Sequence, residues 1–139
     1  MNPILDANYF NQLGDGHLPG LIGVVITEVR NGSLAAELTV HKSLLAPHGY
    51  LHAGTVVTLA DTACGYACLA HLPEGAASFT TIELKSNFIG TAREGVVECE
   101  AKAMHMGRNT QVWDALVRHR DTNRTIAMFR CAQMILWPK

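Results

Sequence analysis

The segment AGTVVTLADTACGYACLA, from Ala53 to Ala70, is apolar or small on nearly every side and carries one formal charge, Asp61. It is too long for a single strand and is bounded by HAG before it and LPEG after it. The pattern predicts a buried helix over roughly residues 54–71. Gly65 lowers the local helix propensity without ending the run. A helix that is apolar all round must be enclosed by the rest of its chain.

The flanking sequence supplies strands for that enclosure. LIGVVITEVR at 21–30 and LAAELTVH at 34–41, joined by the NGS turn, read as a hairpin. KSLLAPHGYLHAG reads as a loop into the helix, and residues 6 to about 14 carry weak helical character. Four strand-like stretches follow: FTTIELKSNFI, GVVECEAKAMHM, NTQVWDALVRHR and RTIAMFRCAQMILW. With two strands before the helix and four after, the expected class is α+β, a curved antiparallel β-sheet wrapped around one long central helix. Residues 1–139 form one domain in this reading. A single sheet cannot enclose the helix completely, so its open edge and outer face favour a homodimer or a homotetramer built as a dimer of dimers.

Composition narrows the function. Hydrophobic residues make up 48% of the chain and charged residues 17%, enough apolar material for a real core and against disorder. The net charge is -1, and no basic patch stands out, so no nucleic-acid partner is expected. The mild cluster Arg118, His119 and Arg120 reads as a solvated strand. No leader is read in MNPILDANYF, and no window of about 18 uninterrupted apolar residues marks a membrane span, so a cytoplasmic protein is expected. Cys64, Cys68, Cys99 and Cys131 each sit in an apolar run and read as reduced, buried thiols. Cys64, Cys68 and His71 share one helix face, but no fourth ligand lies at a recognisable spacing, so no metal is expected. Neither a G-x-S-x-G elbow nor a phosphate-binding G-x-x-x-x-G-K loop is present.

Two features of the helix carry chemistry. At its start, Gly49, Ala53 and Gly54 let a ligand approach the backbone, and the first helical N–H groups have no intrahelical partner. Such amides can hold a carbonyl and stabilise an oxyanion as it develops. Eight residues on comes Asp61, a carboxylate whose burial is costly unless it is paired or used. A structural pairing with Arg or Lys is the competing reading of Asp61. His52 fits a base, a substrate donor or a loop residue bonding backbone. Eight helical residues span roughly 12 Å, whereas a reacting carboxylate must sit within about 3 Å of its target. One helix therefore cannot bring both features to one atom. Two copies related by a two-fold axis can, and if both features act on one substrate the active unit is a homodimer with two sites.

The stretch HGYLHAGTVVTLADTACG resembles the signature of small hotdog-fold acyl-CoA thioesterases, of the phenylacetate-pathway and 4-hydroxybenzoyl-CoA types. Gly49, His52, Gly54 and Asp61 match that pattern, and the likeness covers about residues 15–136. The resemblance implies that Asp61 is nucleophile or general base and that the Ala53 amide, at a position usually glycine, polarises the thioester carbonyl. It implies that His52 shapes the site and that Thr81, or Thr80 one residue away, orients water. The family's Asn or Gln falls on Ala46, with His48 nearby as a substitute. Arg108, in GRN at 107–109, falls where relatives pass the coenzyme A phosphates, a solvated turn being the alternative. Tyr66 and Phe79 are candidates for the acyl pocket, and His48, Gly54, Tyr66, Thr80 and Arg108 form the expected substrate-binding set.

The expected function is hydrolysis of an acyl-CoA to free acid and CoA, with no cofactor beyond the substrate. The same fold also serves hydratases and dehydratases acting on acyl thioesters, in which His52 and Asp61 would share the work. A non-catalytic acyl-CoA-binding module is the third reading, although such a module has no use for Asp61.

Overall fold

The computed structural model describes residues 1–139. Two short N-terminal helices, α1 (Ala7–Leu13) and α2 (Leu18–Ile22), lead into strands β1 (Val25–Arg30) and β2 (Ser33–Thr39). A single 3-10 turn, Lys42–Leu44, precedes the long helix α3 (Ala53–Ala70). Strands β3 (Ser78–Phe88), β4 (Val96–Met106), β5 (Thr110–His119) and β6 (Thr125–Leu136) complete the chain. All six strands form one antiparallel sheet in the order β1-β2-β4-β5-β6-β3. The α+β hotdog arrangement expected from the sequence is the one observed, with α3 lying on the concave face.

The sheet alternates as its sequence does. Leu34, Ala36 and Leu38 of β2, Val97, Cys99 and Ala101 of β4, and Trp113, Ala115 and Val117 of β5 are buried. They meet nine buried residues of α3, among them Leu59, Ala60, Ala63, Cys64 and Cys68. The small residues in the second half of α3 let helix and sheet approach closely. At Gly65 an added Cβ would lie 3.1 Å from the Phe79 ring of β3, so that crossing admits no larger side chain without a shift. By length and composition α3 also qualifies as a membrane span, yet 56% of it is buried inside the fold. The four cysteines are free and buried.

The hairpin begins later than its β-branched sequence suggests. Residues 21 and 22, expected in the first strand, end α2 instead. Pro19 suits the first turn of a helix, and Gly23, at φ 87°, closes it in the left-handed conformation that glycine adopts readily.

The two edges of the sheet differ. Along β1, the Asn11 side chain of α1 acts like a strand: its Nδ2 donates to Ile26 O at 2.9 Å, and its Oδ1 accepts from Ile26 N at 2.7 Å. No such cover lies along β3, eleven residues long, whose Ile82, Leu84 and Phe88 are 53%, 41% and 46% exposed. On the outer face Arg120 bridges Glu37 and Glu98, and Arg130 pairs with Asp114 at 2.5 Å. These pairs are screened by solvent and add little to stability.

Candidate active site

The loop before α3 sets its N-terminus. Ala46 N donates to Tyr50 O at 2.7 Å and Gly49 N to Ala46 O at 2.9 Å, a tight turn that needs Gly49 at φ 94°. Leu45 and Leu51 pair across it. His52 follows as the N-cap, with φ -66° and ψ 135°. Its Nδ1 accepts from Gly54 N at 2.7 Å, and its carbonyl accepts from Thr55 N at 3.0 Å and Val56 N at 3.2 Å. The first amide of the helix, Ala53 N–H, donates to nothing within the chain. Gly54 is required for this arrangement, since an added Cβ would lie 2.9 Å from His52 Nδ1.

A cavity of about 460 Å³ opens at this point, lined by Ala46, His48, Tyr50, Leu51, His52, Ala53 and Thr91, with no acidic residue among them. His48 Nδ1 accepts from Tyr50 N at 3.2 Å, and its ring meets Tyr50 edge-on at 5.4 Å. The Arg93 guanidinium lies over the Tyr50 ring at 4.7 Å. A concavity of about 300 Å³ elsewhere on the sheet is lined by Glu98, Glu100, Lys102, Asp114 and Arg118 among others and includes no residue of α3.

Asp61 sits two turns along α3, half-buried. Its Oδ1 is shut from water and has no hydrogen-bond partner. Burial pushes its carboxyl above the ordinary 3.8. Leaving such an acceptor unsatisfied costs about 1–3 kcal/mol. Cys64, one turn on, is pushed well up by its hydrogen bond to Cys131, by burial, and by the charges of Cys131, Cys99 and Asp61. It is a protonated packing thiol in the hydrophobic core.

The structure brings some of the expected residues together and separates others. Ala46, His48, His52 and Ala53 share the cavity at the helix start, with Gly54 directly behind. Asp61 lies one turn before Gly65 on the same face of α3, and Gly65 packs on Phe79. Thr81 shares the inner face of β3 with Phe79, opposite buried Gln133, and its Oγ1 donates to Gln133 Oε1 at 2.6 Å. Thr80, opposite exposed Met134, lies on the other face of the sheet. Tyr66 stacks on Phe10 of α1 with centroids 4.6 Å apart, about 140° around the helix from Asp61. Arg108 lies at the far end of α3, in a cavity of about 340 Å³ shared with His71.

Sequence reasoning missed Gln133 and Arg93. Gln133 is polar at an inward-facing position between Cys131 and Ile135, which is itself a signal. Nothing local in the sequence marks Arg93 as a neighbour of Tyr50. Both ring nitrogens of His71 are occupied, by Ala67 O at 2.7 Å and Gly32 N at 2.8 Å, so it has no lone pair free for a shared site with Cys64 and Cys68.

With this geometry established, likeness to known proteins decides the family. Residues 48–126, from the loop through β6's first residues, match the thioesterase superfamily. The chain belongs to the thioesterase superfamily. Within it, this thioesterase is 30% identical over 110 residues to the 1,4-dihydroxy-2-naphthoyl-CoA hydrolase of Listeria monocytogenes, covering 79% of this chain and 88% of that one. It is 31% identical over 110 residues to the acyl-coenzyme A thioesterase PaaI of Escherichia coli, covering 78% and 75%. A solved mutant thioesterase from Pseudomonas aeruginosa superposes with a TM-score of 0.89 at 26% identity, over 94% of both chains. The thioesterase is accordingly a hotdog-fold hydrolase of thioesters.

Proposed function

We propose that this thioesterase hydrolyses acyl-CoA at two equivalent sites, each made from Ala53 of one protomer and Asp61 of its partner. The observation that carries the reading is the pair of unpartnered groups on one helix: a free first amide at Ala53 and a buried, unbonded Asp61 Oδ1. They stand roughly 12 Å apart along α3, so neither satisfies the other within a chain. A two-fold axis that pairs the uncovered β3 edges sets two α3 helices antiparallel, with each Asp61 beside the other's N-terminus.

In the proposed reaction the thioester oxygen accepts the Ala53 N–H. On the water route, Asp61 removes a proton from water held by Thr81 as the water oxygen attacks the carbonyl carbon. The carbonyl π pair moves to oxygen, where the helix-end amide receives the negative charge. Collapse of the tetrahedral species breaks the C–S bond, and the departing sulfur takes the proton from Asp61. On the nucleophilic route, an Asp61 carboxylate oxygen attacks the carbonyl carbon and the C–S bond breaks to release CoA thiolate. Water then opens the mixed anhydride to give the free acid and regenerate the Asp61 carboxylate, the remaining proton of the water passing to the thiolate. Both routes use the same residues. His52 keeps Gly54 N–H occupied, so the carbonyl is directed to Ala53. Ala46 offers no hydrogen bond at the position where the family carries Asn or Gln, and His48 is the polar side chain closest to replacing it. Neither route calls for a metal or an organic cofactor, and the proposed setting is the cytoplasm.

The test is free-thiol release from a panel of aryl- and alkyl-CoA thioesters by wild type and Asp61→Asn. Thiol release by wild type and a loss of about 10²–10⁴-fold in Asp61→Asn are expected. A change in enoyl absorbance without thiol release would point to hydration chemistry and contradict the proposal.

A further inference from the structure

The tail of the chain makes a contact that no catalytic argument uses. Trp137, just past β6, donates its indole Nε1–H to the Arg108 carbonyl at 3.2 Å. The Arg108 guanidinium lies over the same indole ring, 4.2 Å from its centroid. One side chain thus fixes both the backbone of the 107–109 turn and the cation that the turn presents. No carboxylate pairs with Arg108. Its exposed guanidinium borders a cavity of about 340 Å³ lined by Met1, Asn31, His71, Pro73, Met106 and Gln111 among others, again without an acidic residue.

The position of this cation matches a chemical length. His71 lies ten residues beyond Asp61, roughly 15 Å along the helix. In an acyl-CoA about thirteen bonds separate sulfur from the first phosphorus, equivalent to a little over four extended residues, or about 15 Å. An extended CoA arm is therefore long enough to run from a thioester at Asp61 to the Arg108 end of the helix.

We infer that Trp137 is a positioning residue that presets the Arg108 guanidinium for the phosphate groups of the CoA nucleotide. The inference rests on the acyl-CoA reading above. Arginine suits this task because its planar fork matches phosphate oxygens, and a guanidinium already stacked on a ring loses less freedom on binding than one free in solution. The ring holds the plane of the fork, and the indole N–H holds the turn that carries it.

The direct test is calorimetric titration with CoA itself, which needs no turnover, on wild type, Arg108→Gln, Trp137→Ala and Trp137→Phe. Arg108→Gln is expected to weaken CoA binding about tenfold, the size of one charge-assisted contact. Trp137→Ala should approach that loss, and Trp137→Phe, which keeps a ring and loses the N–H, should fall between. Because Trp137 acts through Arg108, the double variant should bind no more weakly than Arg108→Gln alone. In hydrolysis, the preference of kcat/KM for acyl-CoA over the matching acyl-pantetheine should shrink by the same factor in each variant. Unchanged CoA affinity in Arg108→Gln overturns the phosphate contact. Additive losses in the double variant, or equal losses on acyl-CoA and acyl-pantetheine, overturn the positioning role. Wild type that binds CoA but hydrolyses no thioester contradicts the hydrolytic reading and leaves this inference standing.

Discussion

His52 folds back over the start of its own helix, its Nδ1 accepting from Gly54 N–H at 2.7 Å, and by doing so leaves Ala53 N–H as the first free donor of α3. The arrangement is a selection among amides: one is capped, two bond the His52 carbonyl, and one remains for a ligand. A cap of this kind contributes about 1 kcal/mol to helix stability. Gly54→Ala sets a Cβ at 2.9 Å from the imidazole and must displace it. The expected result is a loss of about 1 kcal/mol in denaturant unfolding together with a fall in kcat/KM on the order of tenfold to a hundredfold, since small misplacements of a reacting geometry are costly. A variant with wild-type stability and activity would contradict this role for His52.

Asp61 sets the acid limb of the rate in this account. Burial raises its pKa above 3.8, and only the carboxylate can take a proton or attack. The rate should therefore climb as pH rises through that raised value, higher than an exposed aspartate would give, and the limb should vanish in the residual activity of Asp61→Asn. The sign for stability is opposite. The folded chain binds the Asp61 proton more tightly than the unfolded chain, so ionising it costs stability as pH rises. Asp61→Asn should thus unfold at a temperature no lower than wild type at neutral pH, measured by thermal denaturation.

His71 makes a second pH dependence away from the chemistry. Its ring donates from Nδ1 to Ala67 O and accepts at Nε2 from Gly32 N–H, a pattern available only to neutral imidazole. Burial is the main cause that lowers its pKa below 6.5. The unfolded chain then takes up the proton first. The stabilisation is full above about pH 6.5 and is lost as pH falls through the lower folded value. Melting temperatures measured from about pH 7.5 down to about pH 5.5 should fall in wild type and fall less in His71→Gln. Parallel curves would remove His71 from the acid response.

The uncovered β3 edge predicts assembly. A long strand with exposed Ile82, Leu84 and Phe88 and free backbone groups is a template for pairing with a second copy. The active species should sediment as a dimer or tetramer, and Leu84→Glu should shift it toward monomer with loss of activity. An active wild-type monomer at assay concentration would contradict the shared site.

Much of this was legible because it is local. The apolar run of α3, the lone Asp61 and the period-two pattern of β2, β4, β5 and β6 each follow from residues near one another in sequence. Where local signals competed, the sequence misled. LIGV in 21–24 reads as strand by side-chain branching, but Pro19 and Gly23 bracket a helical turn there. In FTTIELKSNFI, period-two spacing puts Ile82, Leu84 and Phe88 on one face, but a bulge between Thr81 and Glu83 takes Ile82 out of that alternation. The Thr81–Gln133 bond, the His71–Gly32 bond and the Arg108–Trp137 stack join residues 52, 39 and 29 positions apart. Such contacts depend on the register of the finished sheet. Tyr66 is likewise aromatic in the right helix, but its place is set by Phe10 in α1.

The central claim is that each site takes its amide from one protomer and its carboxylate from the other. Complementation between two inactive variants tests it most directly. Asp61→Asn removes the basic oxygen, and Ala53→Pro removes the amide. Proline is suited to the first helical position, and His52 before it already has the extended backbone that a following proline requires. Each variant alone should be nearly inactive. After the two are mixed and allowed to exchange subunits, a hybrid dimer has one site with both defects and one with neither. With random pairing, about a quarter of wild-type thiol release should return. If the folded, exchanged mixture stays as inactive as its parents, or if either parent alone retains wild-type activity, the shared-site account is wrong.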